Sequence, residues 1–264
     1  MSTILITGAT AGVGRYLARE LSARGETVLV HGRNKAKLET LVGELGGRAR
    51  PYVADLGSLE EVRGLAGQVA AEHDRLDVLV NNAGVGSGTG RTLTVDGNEV
   101  HWAVNYLAPV LLTRLLMPRL RAAAPARVVN EGSLGQDSID FDDLTMERQW
   151  SGTLAYCRSK LALAAWSFDL AAEAAADRVA VNCIHPATYM NTDMVRDAGI
   201  TPWNTVEDGG DAVLALIDAD PSVTGRFYDG RTPSRAHRDA YDQEVRQRLR
   251  AATEAALGRF ADQA

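Results

Sequence analysis

The feature that most restricts the fold of this chain is an alternation. Short, unbroken apolar runs rich in Val, Ile and Leu are each followed by a longer amphipathic stretch. The runs cover residues 3–7, 27–31, 51–54, 77–81, 127–132 and 179–184, with a shorter one at 226–228. Continuous rather than alternating hydrophobicity is the mark of strands buried on both faces. Strand–helix alternation of this kind predicts an α/β fold, a doubly wound, seven-stranded parallel sheet joined by right-handed crossovers, with helices on both faces. At 264 residues, with no internal repeat, low-complexity tract or linker, a single domain spanning residues 1–264 is expected.

Composition narrows the setting. A formal net charge of -6 argues against a nucleic-acid partner. The two cysteines, Cys157 and Cys183, make no disulfide framework and suit a reducing compartment. No apolar run reaches membrane-spanning length, and the chain enters a strand pattern too early for a signal peptide, so a cytoplasmic protein is expected. No His, Cys or Asp spacing resembles a metal site.

The first run leads into Thr7-Gly8-Ala9-Thr10-Ala11-Gly12-Val13-Gly14 and then a helix over residues 15–23. Glycines at 8, 12 and 14 let the backbone turn sharply and approach a pyrophosphate at the positive end of that helix. About 20 residues on, an NAD site would present an acid to the adenosine ribose. Here the second run ends His31-Gly32-Arg33-Asn34, with no acid nearer than Glu39. Arg33, with Arg15 in support, suits a 2′-phosphate, so NADP(H) is favoured over NAD(H).

Further along stand Asp55-Leu56, followed by a capping-box pattern at Ser58 and Glu61. Asp55 would either bond the adenine amino group or serve the turn. In Asn81-Asn82-Ala83-Gly84 the small residues would admit a cofactor, while an asparagine could tie neighbouring strands together. Asn105 is unfavourable in mid-helix and suggests a kink that holds a water; Pro118 is expected to end that helix. Ser133 closes a central strand where open α/β sheets bind ligands, and Glu131 is out of place in a strand expected to be buried. Loops over about 134–155 and 187–208 are expected to border the substrate, the second carrying an apolar lid, with a helix over about 233–258 at the end. His185 reads as a packing or turn residue rather than a base.

Tyr156 and Lys160, four apart on a helix, share one face. A free phenol has a pKa of about 10. An ammonium about 4 Å away, at an effective dielectric of about 20, favours the phenolate by roughly 4 kcal/mol before desolvation. That would move the tyrosine toward a pH where acid–base catalysis is efficient.

Taken together, Thr7-Gly8-x-x-x-Gly12-x-Gly14, Asp55, Asn81-Asn82-Ala83-Gly84, Asn105, Ser133, Tyr156-x-x-x-Lys160 and the Pro186 loop resemble the short-chain dehydrogenase/reductase family over nearly the whole chain. The glycine spacing is unlike that of its extended epimerase and dehydratase branch. Residues 136–156 resemble the retinol-dehydrogenase-like group, which is mostly NADP(H)-dependent. The resemblance implies a Rossmann-type fold and a carbonyl–alcohol interconversion by hydride transfer on a fairly apolar small molecule. In it Tyr156 exchanges the proton, Ser133 positions the reacting oxygen, Lys160 binds the nicotinamide ribose and lowers the Tyr156 pKa, and Asn105 holds a water. It implies cofactor contacts at Gly8, Thr10, Ala11, Gly12, Val13, Gly14, Arg33, Asn34, Asp55, Leu56, Asn82, Ala83, Gly84, Tyr156, Lys160 and Pro186, and at Thr192 or Thr188. It also implies that a homodimer through the helices bearing Asn105 and Tyr156 is open to the chain. Two departures stand out: Pro186-Ala187 where the family has Pro-Gly, and Glu131 where it has a small or apolar residue. The competing expectation is a regulator that binds NADP(H) without turnover.

Overall fold

A computed structural model describes residues 1–87 and 90–261. The chain alternates strand and helix: β1 (Thr3–Ile6), α1 (Gly12–Ala23), β2 (Thr27–Gly32), α2 (Lys35–Leu45), β3 (Ala49–Val53), α3 (Leu59–Glu72) and β4 (Val78–Asn81). The next helix is built of α4 (Val100–Trp102), a π turn (Ala103–Leu107) and α5 (Ala108–Ala123). Then come β5 (Ala126–Glu131), α6 (Gly152–Glu173), β6 (Val179–His185), the short α7 (Asp193–Asp197), α8 (Val206–Ile217), β7 (Phe227–Asp229), β8 (Thr232–Ser234) and α9 (Gln243–Ala261).

The strands form one sheet in the order β3-β2-β1-β4-β5-β6-β7-β8. Seven are parallel, as the apolar runs imply. The eighth pairs antiparallel with β7 through a turn at Gly230, whose φ of +56° lies in the left-handed region. The sheet is therefore mixed rather than purely parallel, and the final helix starts at Gln243 rather than near 233. Exposed and only three residues long, β8 gave no apolar run to read, and its Pro233 suits an edge strand.

Helices pack on both faces. Leu17, Val30, Val80, Val129, Ile184 and Val213 belong to the core layer under α1, α2 and α8. The opposite layer, with Leu79, Val128, Leu111, Leu163, Trp166 and Val181, lies under α3, α5 and α6. The helix expected to stop at Pro118 runs on to Ala123. An interior proline costs about 3 kcal/mol, but Leu116, Met117, Leu120 and Ala123 around it are buried, and each large apolar side chain returns about 1.5–3 kcal/mol.

Leu249, Leu257 and Phe260 of α9 join the core beneath α5 and α6, and the Tyr106 hydroxyl meets Thr253 Oγ1 at 2.5 Å. The chain's own last helix thus packs against the two helices that the resemblance implied for a dimer. Among the described residues, no helix is long and apolar enough to cross a membrane.

Strand order reverses between β1 and β4, so a crevice opens there at the carboxyl rim. Its floor is a hydrogen-bonded knot. Thr7 Oγ1 donates to Val80 O and accepts from the backbone N–H groups of Asn82 and Ala83. Asn82 Nδ2 donates back to Thr7 O at 2.6 Å and Gly8 O at 3.2 Å. A Cβ on Gly14 would lie 2.5 Å from Gly8 O and 2.6 Å from Asn82 Nδ2, so only glycine fits.

Candidate active site

The glycine-rich loop leaves α1 uncapped. Ala11 at its N-cap offers no side-chain acceptor, and Arg15 N–H is the first to bond within the helix, to Ala11 O. The N–H groups of Gly12, Val13 and Gly14 are left for an anion. His31 braces the loop from β2: its Nδ1 accepts from Gly8 N–H at 3.2 Å and its Nε2 donates to Ala54 O at 3.0 Å. Burial lowers the His31 pKa to about 4, so the ring is neutral, as that bonding requires. The sequence reading passed over His31 because nothing local marks a histidine as a brace.

Around the loop, Val13 is buried beneath it, Ala11 is exposed, and Thr10 lies over Gly32. A cleft of about 440 Å³ runs from Thr10, Ala11 and Gly12 past Arg15 and Lys37 to Thr192 and Arg196. Arg33 is exposed at the end of β2, and Asn34 Oδ1 caps α2 by accepting from Lys37 N–H. Arg15, expected to support Arg33, instead forks onto both Glu44 oxygens at 2.6 and 2.9 Å. Lys37, which nothing in the sequence singled out, lines the cleft alongside it.

Asp55 serves the turn, its Oδ1 accepting from Gly57 N–H, and Leu56 is buried in the core. The capping box is half made: Ser58 Oγ accepts from Glu61 N–H, but the Glu61 carboxylate accepts from Asp55 N–H rather than from Ser58. Asn81 ties strands together as anticipated, donating to Thr113 Oγ1 and Asn130 Oδ1.

The catalytic candidates converge at the ends of β4 and β5. Asn105 sits in the π turn, and its side chain is spent on Val85 N–H at 2.8 Å, Val85 O at 3.1 Å and Ser159 Oγ at 3.0 Å. Lys160 Nζ donates to Glu131 O at 2.7 Å and stands 5.8 Å from the centre of the Tyr156 ring. A Cβ on Gly84 would lie 3.2 Å from Asn105 Oδ1 and 3.7 Å from Lys160 Nζ, so this glycine keeps a space open between them. Ser133 and Tyr156 meet beside Gly135, where a Cβ would lie 3.4 Å from Ser133 Oγ and 3.7 Å from Tyr156 Cε1.

The electrostatics differ from the expectation that Lys160 primes the phenol. Burial pushes the Tyr156 pKa up, and the neighbouring Ser133 hydroxyl offsets only part of that. Burial also pulls Lys160 down, against the opposing charge of Glu131. Desolvation outweighs the pairwise attraction, and the ammonium is engaged by a main-chain carbonyl rather than aimed at the phenolic oxygen.

On the far side, Thr192 lies over Gly12 and caps α7, whereas Thr188 Oγ1 is bonded to His185 Nε2. Pro186 abuts Gly209 of α8. Met194 reaches across to Gly86, so the segment expected to act as a lid touches the loop after β4. Gln136 links Ser133 to the C-terminal segment, donating to Ser133 O and accepting from His237 N–H. Among the described residues no group of three His, Cys, Asp or Glu side chains could hold a metal ion.

The loop after β4 is held by a buried pair that no local motif announces. Glu99 Oε1 and His101 Nδ1 are 2.8 Å apart, and His101 Nε2 lies 2.6 Å from Gly86 O. Both partners of the ring are acceptors, so it donates twice as imidazolium. Burial, the largest single influence, works against that charge, but the bond to Glu99, its charge and the Gly86 carbonyl together outweigh it and the His101 pKa is raised. A raised histidine stabilises fully below its unfolded pKa of about 6.5 and loses that contribution as pH climbs through the folded value. Glu99→Gln is expected to cost about 3 kcal/mol at pH 6. The gap from wild type, measured by urea denaturation, should narrow as pH rises above 7. A gap independent of pH would count against the imidazolium.

Comparison with known proteins agrees with this arrangement. The sequence model described as short chain dehydrogenase matches residues 2–202. Retinol dehydrogenase 13 of Homo sapiens is 33% identical over 272 residues, covering 94% of this chain and 82% of that protein. Among solved structures, an uncharacterized protein from Mycobacterium Paratuberculosis superposes with a TM-score of 0.82 at 29% identity, covering 98% of this chain and 94% of that one. The Pseudomonas aeruginosa RhlG/NADP active-site complex superposes with a TM-score of 0.71 at 27% identity, covering 86% of this chain and 94% of that one. Coverage of this extent means that the protein belongs to the short chain dehydrogenase family and is an oxidoreductase of CH–OH groups.

Proposed function

We propose that this chain is an NADP(H)-dependent carbonyl reductase or alcohol dehydrogenase in which Tyr156 is the acid–base group. The observation that carries the reading is the convergence of Ser133, Tyr156 and Lys160 at the rim beside the space that Gly84 keeps open. The residues fit a dinucleotide. The contacts at Gly14 leave the backbone bare for a pyrophosphate, and the unbonded N–H groups of α1 face it. Bound NADP(H) supplies or accepts the hydride.

The chain's own groups do the rest. The Tyr156 hydroxyl gives its proton to the carbonyl oxygen during reduction and takes it back during oxidation. Its raised pKa keeps it protonated at neutral pH, as a donor must be. Ser133 Oγ, beside the phenol at Gly135, holds the same oxygen in place. Lys160, beside Gly84, bonds the hydroxyls of the nicotinamide ribose in this reading, and Asn105 holds the Val85 backbone next to that glycine. Thr192 is the better placed of the two threonines, because Thr188 is already bonded to His185.

The phosphate preference rests on Arg33, exposed at the end of β2 where no carboxylate stands, with Lys37 lining the cleft nearby. An apolar substrate is supported by Leu134, Tyr189, Met194 and Trp203, all large and exposed on the two bordering loops. The name retinol dehydrogenase, carried by relatives, denotes action on an apolar alcohol.

Tyr156→Phe is expected to lower turnover by at least about 100-fold, the lower range for a lost general acid, with NADPH binding within a factor of a few of wild type. Retained turnover would remove the phenol from the mechanism. Arg33→Ala is expected to weaken NADPH binding about tenfold, the equivalent of one charge-assisted hydrogen bond, and to leave NADH binding unchanged. Equal loss for both cofactors, in a fluorescence titration, would contradict a phosphate contact.

A further inference from the structure

Glu131 is the one buried carboxyl of the site that the reaction above does not use. It closes β5, two residues before Ser133, and is only 7% exposed. Its Oε1 has no hydrogen-bond partner among the described residues. Lys160 bonds the main-chain carbonyl of Glu131, not its carboxylate. A carboxyl left unpaired in a core costs several kcal/mol when ionised and ordinarily signals a partner supplied from elsewhere.

Side-chain direction identifies where that partner would lie. Asn130 faces the α6 layer, bonding Asn81 and Ser167. Val129, on the other face, belongs to the layer under α1 and α8. By strand alternation Glu131 shares the face of Val129. That is the side from which the glycine loop and the amino end of α1 present themselves. Tyr156 and Lys160 approach from the α6 side, yet the Glu131 charge is felt at both. A dinucleotide running from the α1 end to Tyr156 must therefore pass this carboxyl at the strand rim.

We propose that Glu131 is a cofactor-discriminating residue whose carboxylate sits against the nicotinamide end and favours the positively charged oxidised ring over the neutral reduced one. This rests on the NADP(H) reading above. Burial raises the pKa of Glu131 to about 8, so the carboxyl changes charge within the working range of pH. Below that value it is neutral and indifferent to the redox state of the ring. Above it, the anion attracts the pyridinium, and release of oxidised cofactor slows. Alkaline conditions thus favour the complex that begins alcohol oxidation.

Other groups face the same region. Tyr156 and Lys160 come from α6, Cys183 and His185 from β6, and Asp229 of β7 acts on His185. Burial raises Cys183 to about 12 and lowers His185, so both are neutral from pH 7 to 9. Across α1 and α8, Tyr16 is bonded to Asp211 and raised to about 12, so it too stays neutral. Tyr156 and Lys160 are the groups whose ionisation would imitate the effect, so the test removes the phenol, and the comparison with Glu131→Gln separates the carboxyl from the ammonium.

In the Tyr156→Phe protein, the dissociation constants of NADP⁺ and NADPH are measured by calorimetry from pH 6 to pH 9.5, with and without Glu131→Gln. Titration of the 2′-phosphate is common to both cofactors and cancels in their ratio. With Glu131 present, the preference for NADP⁺ over NADPH should rise with pH, by about tenfold if the bound ring lowers the carboxyl pKa by one unit. In the Glu131→Gln protein the ratio should be flat. A flat ratio with Glu131 present, or an unchanged slope after the glutamine substitution, would overturn the inference while leaving the cofactor reading intact. Failure of both cofactors to bind at any pH would overturn the two together. If the glutamine variant does not fold, Glu131→Ala takes its place in the same comparison, with the same outcomes.

Discussion

The site depends on one local constraint: the ends of β1 and β4 are locked together with no room for a side chain between them. Four hydrogen bonds join Thr7 and Gly8 to Asn82 and Ala83 across that gap, and Gly8 and Gly14 pack backbone against backbone beside it. Buried polar groups of this kind are costly unless satisfied, so the knot either forms completely or not at all. Once formed, it fixes where the strand order reverses, where α1 begins and how far the glycine loop stands from β4. Every later element of the site is set relative to that point.

From the knot outward, each group is held by a second element rather than by its own loop. His31 braces the glycine loop from β2, Asn105 holds the loop after β4 from the π turn, and Gln136 joins Ser133 to the C-terminal segment. The π turn has a physical rationale here: it brings the Asn105 amide, poorly suited to a helix interior, onto backbone groups that would otherwise be unpaired. The arrangement is rigid on the Tyr156 side and more open toward residues 187–205, where Tyr189, Met194 and Trp203 present apolar surface. Such a division suits an enzyme that must hold one cofactor closely and admit an apolar substrate.

Much of this was legible in the sequence, for definite reasons. Buried parallel strands write themselves as unbroken apolar runs, so the order of elements could be read directly. The glycines, Asn82, Ser133, Tyr156 and Lys160 stood out because of residue type and spacing, and the structure brings them to one rim. What was not legible depended on distant packing. Pro118 stays inside a helix because the core around it is worth more than the bond it forfeits. The β8 edge strand is too short and polar to leave a pattern. Arg15 is paired with Glu44, while Lys37 lines the cleft beside it. The Glu99–His101 pair and the cover of α9 over α5 and α6 rest on contacts that no window of sequence brings together. Glu131 could be recognised as anomalous but not interpreted, because its meaning lies in an oxygen that finds no partner.

The central claim is that the rim of the sheet delivers hydride from a nicotinamide ring to a carbonyl carbon beside Tyr156. The most direct measurement is isotopic. The wild-type protein would be incubated with NADPH carrying deuterium at C4 of the nicotinamide, in ordinary water, with a panel of apolar ketones and aldehydes, and the alcohols analysed by mass spectrometry. The account requires one deuterium on the carbinol carbon of each product formed with the correctly labelled face of the ring. Product alcohol with hydrogen drawn from solvent at that carbon, whichever face is labelled, would contradict it.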